Sequence, residues 1–394
     1  MTTVADPQSV LSEEMLARFR ERAPVYDREN RFFTEDFEEL RAAGYLLMPI
    51  PREMGGLGLM LAQVCQEQRR LAYHAPATAL AVNMHLYWMG VAAICHQLGD
   101  PSVDWMLEEG ARGEVFAAGH SEAGNDLPAL YSTTRADRSD GGYRFNGHKN
   151  FGTLTPVWTR LGLHGMDASD PSAPKIVHAF LPRETAGYTI KETWDTLGMR
   201  ATASQDTILE GAFVPDRYIG RVVPADFAGA DLFVLAIFAY AEPTISNVYI
   251  GIAQRAFDLA VANAQSKTSV ALGGKTMAYN PMIQYLIADM AVELDAIIAH
   301  VDRIAGDWSS GVDHGHLWPA KLVACKYHCV EGARRVVKGA LDVCGGGAIF
   351  KTSELERLLR DVTLGSIHPA NSALTHEIVG KSYLGVLGQQ PRWG

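Results

Sequence analysis

Apolar residues recur three and four places apart along the opening stretch: Leu11, Met15, Leu16 and Phe19, then Phe33, Phe37 and Leu40. That spacing sets them on one face, so two amphipathic helices are predicted over residues 8–44. Ser12, followed by Glu13 and Glu14, suits the start of the first helix, because its oxygen and their charge satisfy free N–H groups. Gly44 suits the end of the second. Residues 61–112 continue in helical pattern, rich in Ala, Leu, Met and His. From Gly113 to about Ile219 the pattern changes. Short apolar runs at 115–118, 143–145, 176–181 and 206–209 alternate with Gly, Asp and Pro turns, which predicts a small antiparallel β domain. Beyond Asp231 come four helical stretches, 232–266, 283–308, 317–343 and 353–364, whose apolar content suits a four-helix bundle. The expected architecture is α+β in three parts: an all-α N-terminal domain (1–112), a small antiparallel, barrel-like middle domain (113–225) and a C-terminal four-helix bundle (226–394).

The chain has 394 residues, enough to bury a sizeable core. Net charge is −10, which argues against non-specific binding to nucleic acid or anionic membranes. Five cysteines, an odd number, read as reduced thiols in a cytoplasmic protein. No basic segment followed by an apolar core opens the chain, so no signal peptide is expected. No charge-free apolar run of about 18 residues stands out, so no membrane span is expected. Cys325, His328 and Cys329 fall at helical spacing, but no further ligand is near in sequence, and buried small thiols are common. They are read as core, and no metal is expected.

Cys344 precedes Gly345, Gly346 and Gly347; then come Glu356-Arg357, Arg360-Asp361 and Ile367-His368-Pro369-Ala370-Asn371. This run resembles the C-terminal signature of acyl-CoA dehydrogenases, HGGxGY, then ERxxRD, then IYEGTxxIQ. Other stretches resemble the same family. Glu122 and Gly124 echo a loop beside flavin and thioester. Asn146, Gly147 and Lys149 match NGxKxWITNG, with Phe151 at the flavin-side tryptophan and Thr153 at a flavin-contacting threonine. Gly198, Arg200, Val214 and Pro215 match a third β segment, and the run from Gly251 to Asp258 matches a helix reading GLAQRALD.

The resemblance implies the acyl-CoA dehydrogenase fold and bound FAD, with FMN as the alternative. Phe151, Thr153, Glu122, Gly345 and Gly346 are the implied cofactor-binding residues. It also implies a small-molecule substrate such as an acyl-CoA, a homotetramer or homodimer, and a flavin reductase or electron-transfer flavoprotein as partner. The implied reaction is α,β-dehydrogenation of an acyl-CoA by a non-standard base, since Pro369 replaces the usual catalytic glutamate and Glu242 stands where medium-chain enzymes carry an arginine. Glu242 lies one residue from the other known base position, which is Ala241, and Pro243 follows it. The alternative is a two-component monooxygenase using reduced flavin and dioxygen. There His368, aided by Asn371, faces the reactant, because histidine holds or takes a proton near neutral pH. A non-catalytic member of the family is the third reading.

Overall fold

Ser12 accepts a hydrogen bond from the Met15 N–H and opens α1 (Glu13–Glu29). The computed structural model describes residues 9–125, 131–225 and 231–389; the expected domain limits at 1, 226 and 394 lie outside these. Helices α2 (Thr34–Ala42), α3 (Leu61–His74), α4 (Pro76–Gln97) and α5 (Asp104–Ala111) follow α1. α4 is apolar all round and buried along almost its whole length, as a central core helix must be.

The strands are β1 (Phe116–Ala118), β2 (Arg135–Ser139), β3 (Gly142–Gly152), β4 (Arg160–Asp167), β5 (Lys175–Pro182), β6 (Tyr188–Lys191), β7 (Gln205–Pro215) and β8 (Ile219–Pro224). They form one sheet in the order β6-β7-β3-β2-β4-β5-β8, with β1 also pairing β4. This corrects the antiparallel, barrel-like expectation. The order does not close on itself, and both β1 and β2 run parallel to β4. Closure is unnecessary because α4 covers the face: the Trp88 indole N–H donates to the Ala117 carbonyl, and its ring packs edge-on to Phe180. The edge strand β6 is short, which limits its exposed ladder.

The C-terminal domain holds α6 (Leu232–Ser266), α7 (Pro281–Ser309), α8 (Trp318–Cys344), α9 (Glu354–Thr363) and a further helix, α10 (Ser372–Leu384), lying on α8. α6 is its axis. It crosses α3 so closely at Gly251 that a Cβ there would stand 2.6 Å from the Arg69 carbonyl. α4 and α6 are each long and apolar enough to cross a membrane, and both are instead mostly buried within the protein.

Candidate active site

Two loops of the sheet concentrate backbone strain. Among the described residues, five that are not glycine have positive φ. Four of them sit here: Phe151 at the end of β3 and Leu154 just after it, Met199 and Ala203 before β7. Such conformations cost roughly 1–3 kcal/mol each and cluster at functional sites. The loops are joined by buried hydroxyls. Thr153 Oγ1 lies 2.8 Å from Ser204 Oγ, and Ser204 Oγ 2.8 Å from Thr202 Oγ1. Thr202 donates to the Met199 carbonyl, and the Thr153 backbone N–H is spent on the Phe151 carbonyl. A hydroxyl has one proton to give. With Thr202 committed to Met199, each link holds a proton when Ser204 donates to Thr202 and Thr153 to Ser204. Thr153 then presents only acceptor lone pairs outward. Beside it Phe151, 50% exposed, meets Trp194 edge to face.

These loops are bolted to the helices. The Met199 N–H donates to Asp361 Oδ1 at 2.6 Å, and Arg360 reaches both carboxylate oxygens of Asp27 on α1. Burial pushes the Asp361 carboxyl up, to about 6, against the pull of Arg357. From Asp361 the chain runs through the end of α9 to His368.

The second half of the site lies there. Burial, then the Lys326 charge, push the His368 imidazole down to about 3, so it is neutral at physiological pH. Its Nε2 is buried without a partner, and its ring stands 5.9 Å from that of Tyr249 on α6. Glu242, at the Pro243 step of α6, is buried. Its carboxyl accepts from the Ala370 N–H, yet Oε2 has no partner. Burial raises its pKa and Lys326 lowers it, with a net rise.

The other expected site residues fall as follows. Both Glu122 oxygens are filled from within: Lys149 Nζ at 2.5 Å, the Ser132 hydroxyl at 2.7 Å, Asn125 Nδ2 and the N–H groups of Thr133 and Thr134. Burial pushes its pKa up, but the Lys149 charge and these bonds win and hold it at about 2. It is a structural ion-pair member with no lone pair aimed outward. Asn371 caps α10, accepting from the Leu374 N–H at 3.0 Å. Gly345 and Gly346 form an exposed turn after α8 where a Cβ on Gly346 would meet nothing within 4 Å, so a ligand can approach the backbone. Cys325 and Cys329 are buried free thiols, and no group of three metal-ligating side chains occurs among the described residues. In the sequence Ser204 was assigned no chemical role and Lys326 was not singled out. The signal for Lys326 was a lone cation among Leu322, Cys325, Cys329 and Val330 on the apolar face of α8.

Two family models match the chain, the acyl-CoA dehydrogenase N-terminal domain over residues 9–101 and its C-terminal domain over residues 243–373. The L-evernosamine nitrososynthase of a Micromonospora species is 28% identical over 89% of this chain and 83% of its own length. The benzylmalonyl-CoA dehydrogenase of Aromatoleum aromaticum is 26% identical over 96% of each. The solved structure of KijD3 in complex with FMN and a dTDP-linked amino keto sugar superposes with a TM-score of 0.81 at 25% identity, covering 95% of this chain and 92% of that one.

Proposed function

The chain belongs to the acyl-CoA dehydrogenase superfamily, and we propose that within it the protein is a flavin-dependent monooxygenase fed with reduced flavin by a separate reductase. One observation carries the reading. Where the dehydrogenase signature places a carboxylate base, this chain has Pro369, and beside it a neutral imidazole with a buried, unpartnered Nε2. A neutral nitrogen fixed in a dry site can donate or accept one hydrogen bond to a reacting oxygen without first shedding charge.

The loop residues fit a flavin. Strained backbone, an aromatic pair with Phe151 exposed, and a buried hydroxyl chain meet at Thr153, whose outward lone pairs suit a donor such as the N5–H of reduced flavin. Bound reduced flavin supplies the two electrons that dioxygen requires. This chain's residues do the rest: Thr153 orients the ring, Phe151 and Trp194 shield its edge, and His368 holds a proton at Nε2. FMN and FAD both suit this reading. Related proteins support it: a nitrososynthase relative, and a neighbour that binds FMN with an amino sugar. A substrate with an oxidisable amine, sulfur or aromatic centre follows. Tyr279, Met282, Tyr285 and Val292 leave large apolar side chains exposed in and just before α7, the kind of surface a homo-oligomer buries.

The test supplies FMN or FAD, NADH, a flavin reductase and labelled dioxygen, with a panel of amines, thiophenes and phenols. One labelled oxygen atom in a product supports the proposal. Anaerobic bleaching of bound flavin by an acyl-CoA sinks it in favour of dehydrogenation. That second reading has its own support: Glu242 is a buried carboxyl of raised pKa with one free oxygen, the properties of a base for a weakly acidic α-proton.

A further inference from the structure

Behind His368 lies Lys326 on α8, with 1% of its surface exposed. An ammonium carries three donors and no acceptor. All three find carbonyls on one loop: Gly365 at 3.0 Å, His368 at 2.8 Å and Ala370 at 3.1 Å. Charge-assisted bonds of this kind are about twice as strong as neutral ones. The segment is therefore pinned at three points bracketing His368. No donor remains for Glu242, the ionisable neighbour on α6. Glu242 feels the cation's field without its hydrogen bond, and Oε2 stays open.

We propose that Lys326 is a positioning residue, which fixes the backbone that aims His368 and sets Glu242 beside it as a carboxyl with one free oxygen. The proposal rests on reading the 365–370 loop as a wall of the reactant cavity. A lysine serving only to fill space would be replaceable by methionine of similar length; a three-point pin would not. The ionisable groups around it are Glu331 and Cys325 on α8, Glu242 on α6 and His368 on the loop, with Tyr249 beside His368.

The experiment compares the full-length wild type with K326M and K326R. Amide exchange is followed by mass spectrometry on unloaded protein, and turnover on flavin-loaded protein with its reductase. In K326M, exchange across 364–371 should rise at least about tenfold while peptides of β3 and β7 stay unchanged. kcat should fall at least about tenfold with KM within about twofold. K326R, which keeps the charge but not the compact head, should show intermediate exchange and an intermediate kcat. Wild-type exchange and wild-type kcat in K326M would overturn the proposal, and so would wild-type exchange in K326R if K326M does not fold. If the wild type transfers no oxygen but K326M still exchanges tenfold faster, the monooxygenase reading falls and the pin stands.

Discussion

At the scale of single residues, His368 and Glu122 both carry buried polar atoms, but their partners divide them. His368 has an orphaned nitrogen, and H368A is expected to lower kcat by about 10²–10³. Flavin affinity, followed by fluorescence quenching, should change less than about twofold in that variant, because the hydroxyl chain at Thr153 is untouched. Glu122 has every lone pair engaged and pairs with the buried Lys149. E122Q leaves that ammonium uncompensated and should cost about 3–5 kcal/mol in denaturant unfolding. Losing a flavin contact alone would leave folding intact. The sequence assigned Glu122 and His368 to stretches that resemble family motifs, because motif spacing is local. It could not say which lone pairs are filled, since Ser132, Thr133, Thr134 and Lys149 come to Glu122 from other segments.

At the scale of elements, α9 couples the two halves of the site. Gly198 lies so close to it that a Cβ would stand 2.5 Å from the Arg360 carbonyl and 2.8 Å from the Asp361 nitrogen. Neither backbone atom can yield cheaply. G198A should therefore push the loop of Met199 off α9 and break the bond to Asp361. The expected outcome is about 1–3 kcal/mol of lost stability together with weaker flavin retention after gel filtration. Gly198, Arg360 and Asp361 were each legible in the sequence as family matches. That they meet was not legible, because more than 150 positions separate them along the chain.

At the scale of the whole molecule, the imidazoles of His85, His164 and His178 are sealed in the core, and that of His120 packs on the last two. Burial pushes His85 down to about 4 and His178 to about 3, and drives His120 and His164 well below their ordinary value. Each takes up a proton on unfolding once the pH is below the unfolded pKa of about 6.5. Stability from these groups is thus present above about pH 6.5 and is lost as the pH falls towards the folded values. Each costs about 1.4 kcal/mol per pH unit in that window. Asp36, raised by burial to about 7, Asp361, raised to about 6, and Glu242, also raised by burial, work in the opposite sense, but with His74 and His368, likewise lowered by burial, the imidazoles outnumber them. Urea unfolding at pH 7 and pH 5 should show a net loss of several kcal/mol. Neither ring nitrogen of His178 has a partner, so H178L should flatten the acid limb by about one proton's worth and leave stability at pH 7 equal or higher.

The residue pattern alone determined the helix–sheet–helix order, because a period of 3.6 or 2 is a local property that each segment carries wherever it packs. It likewise determined that no carboxylate occupies the position of the usual base, since Pro369 is fixed by spacing from Arg360 and Asp361. Tertiary structure decided the rest. The sheet stays open because α4 covers its face, a contact between segments that share no local signal. Lys326 became a pin and Glu122 a sealed ion pair because a buried charge is defined by what surrounds it, and those surroundings are assembled only when the chain has folded.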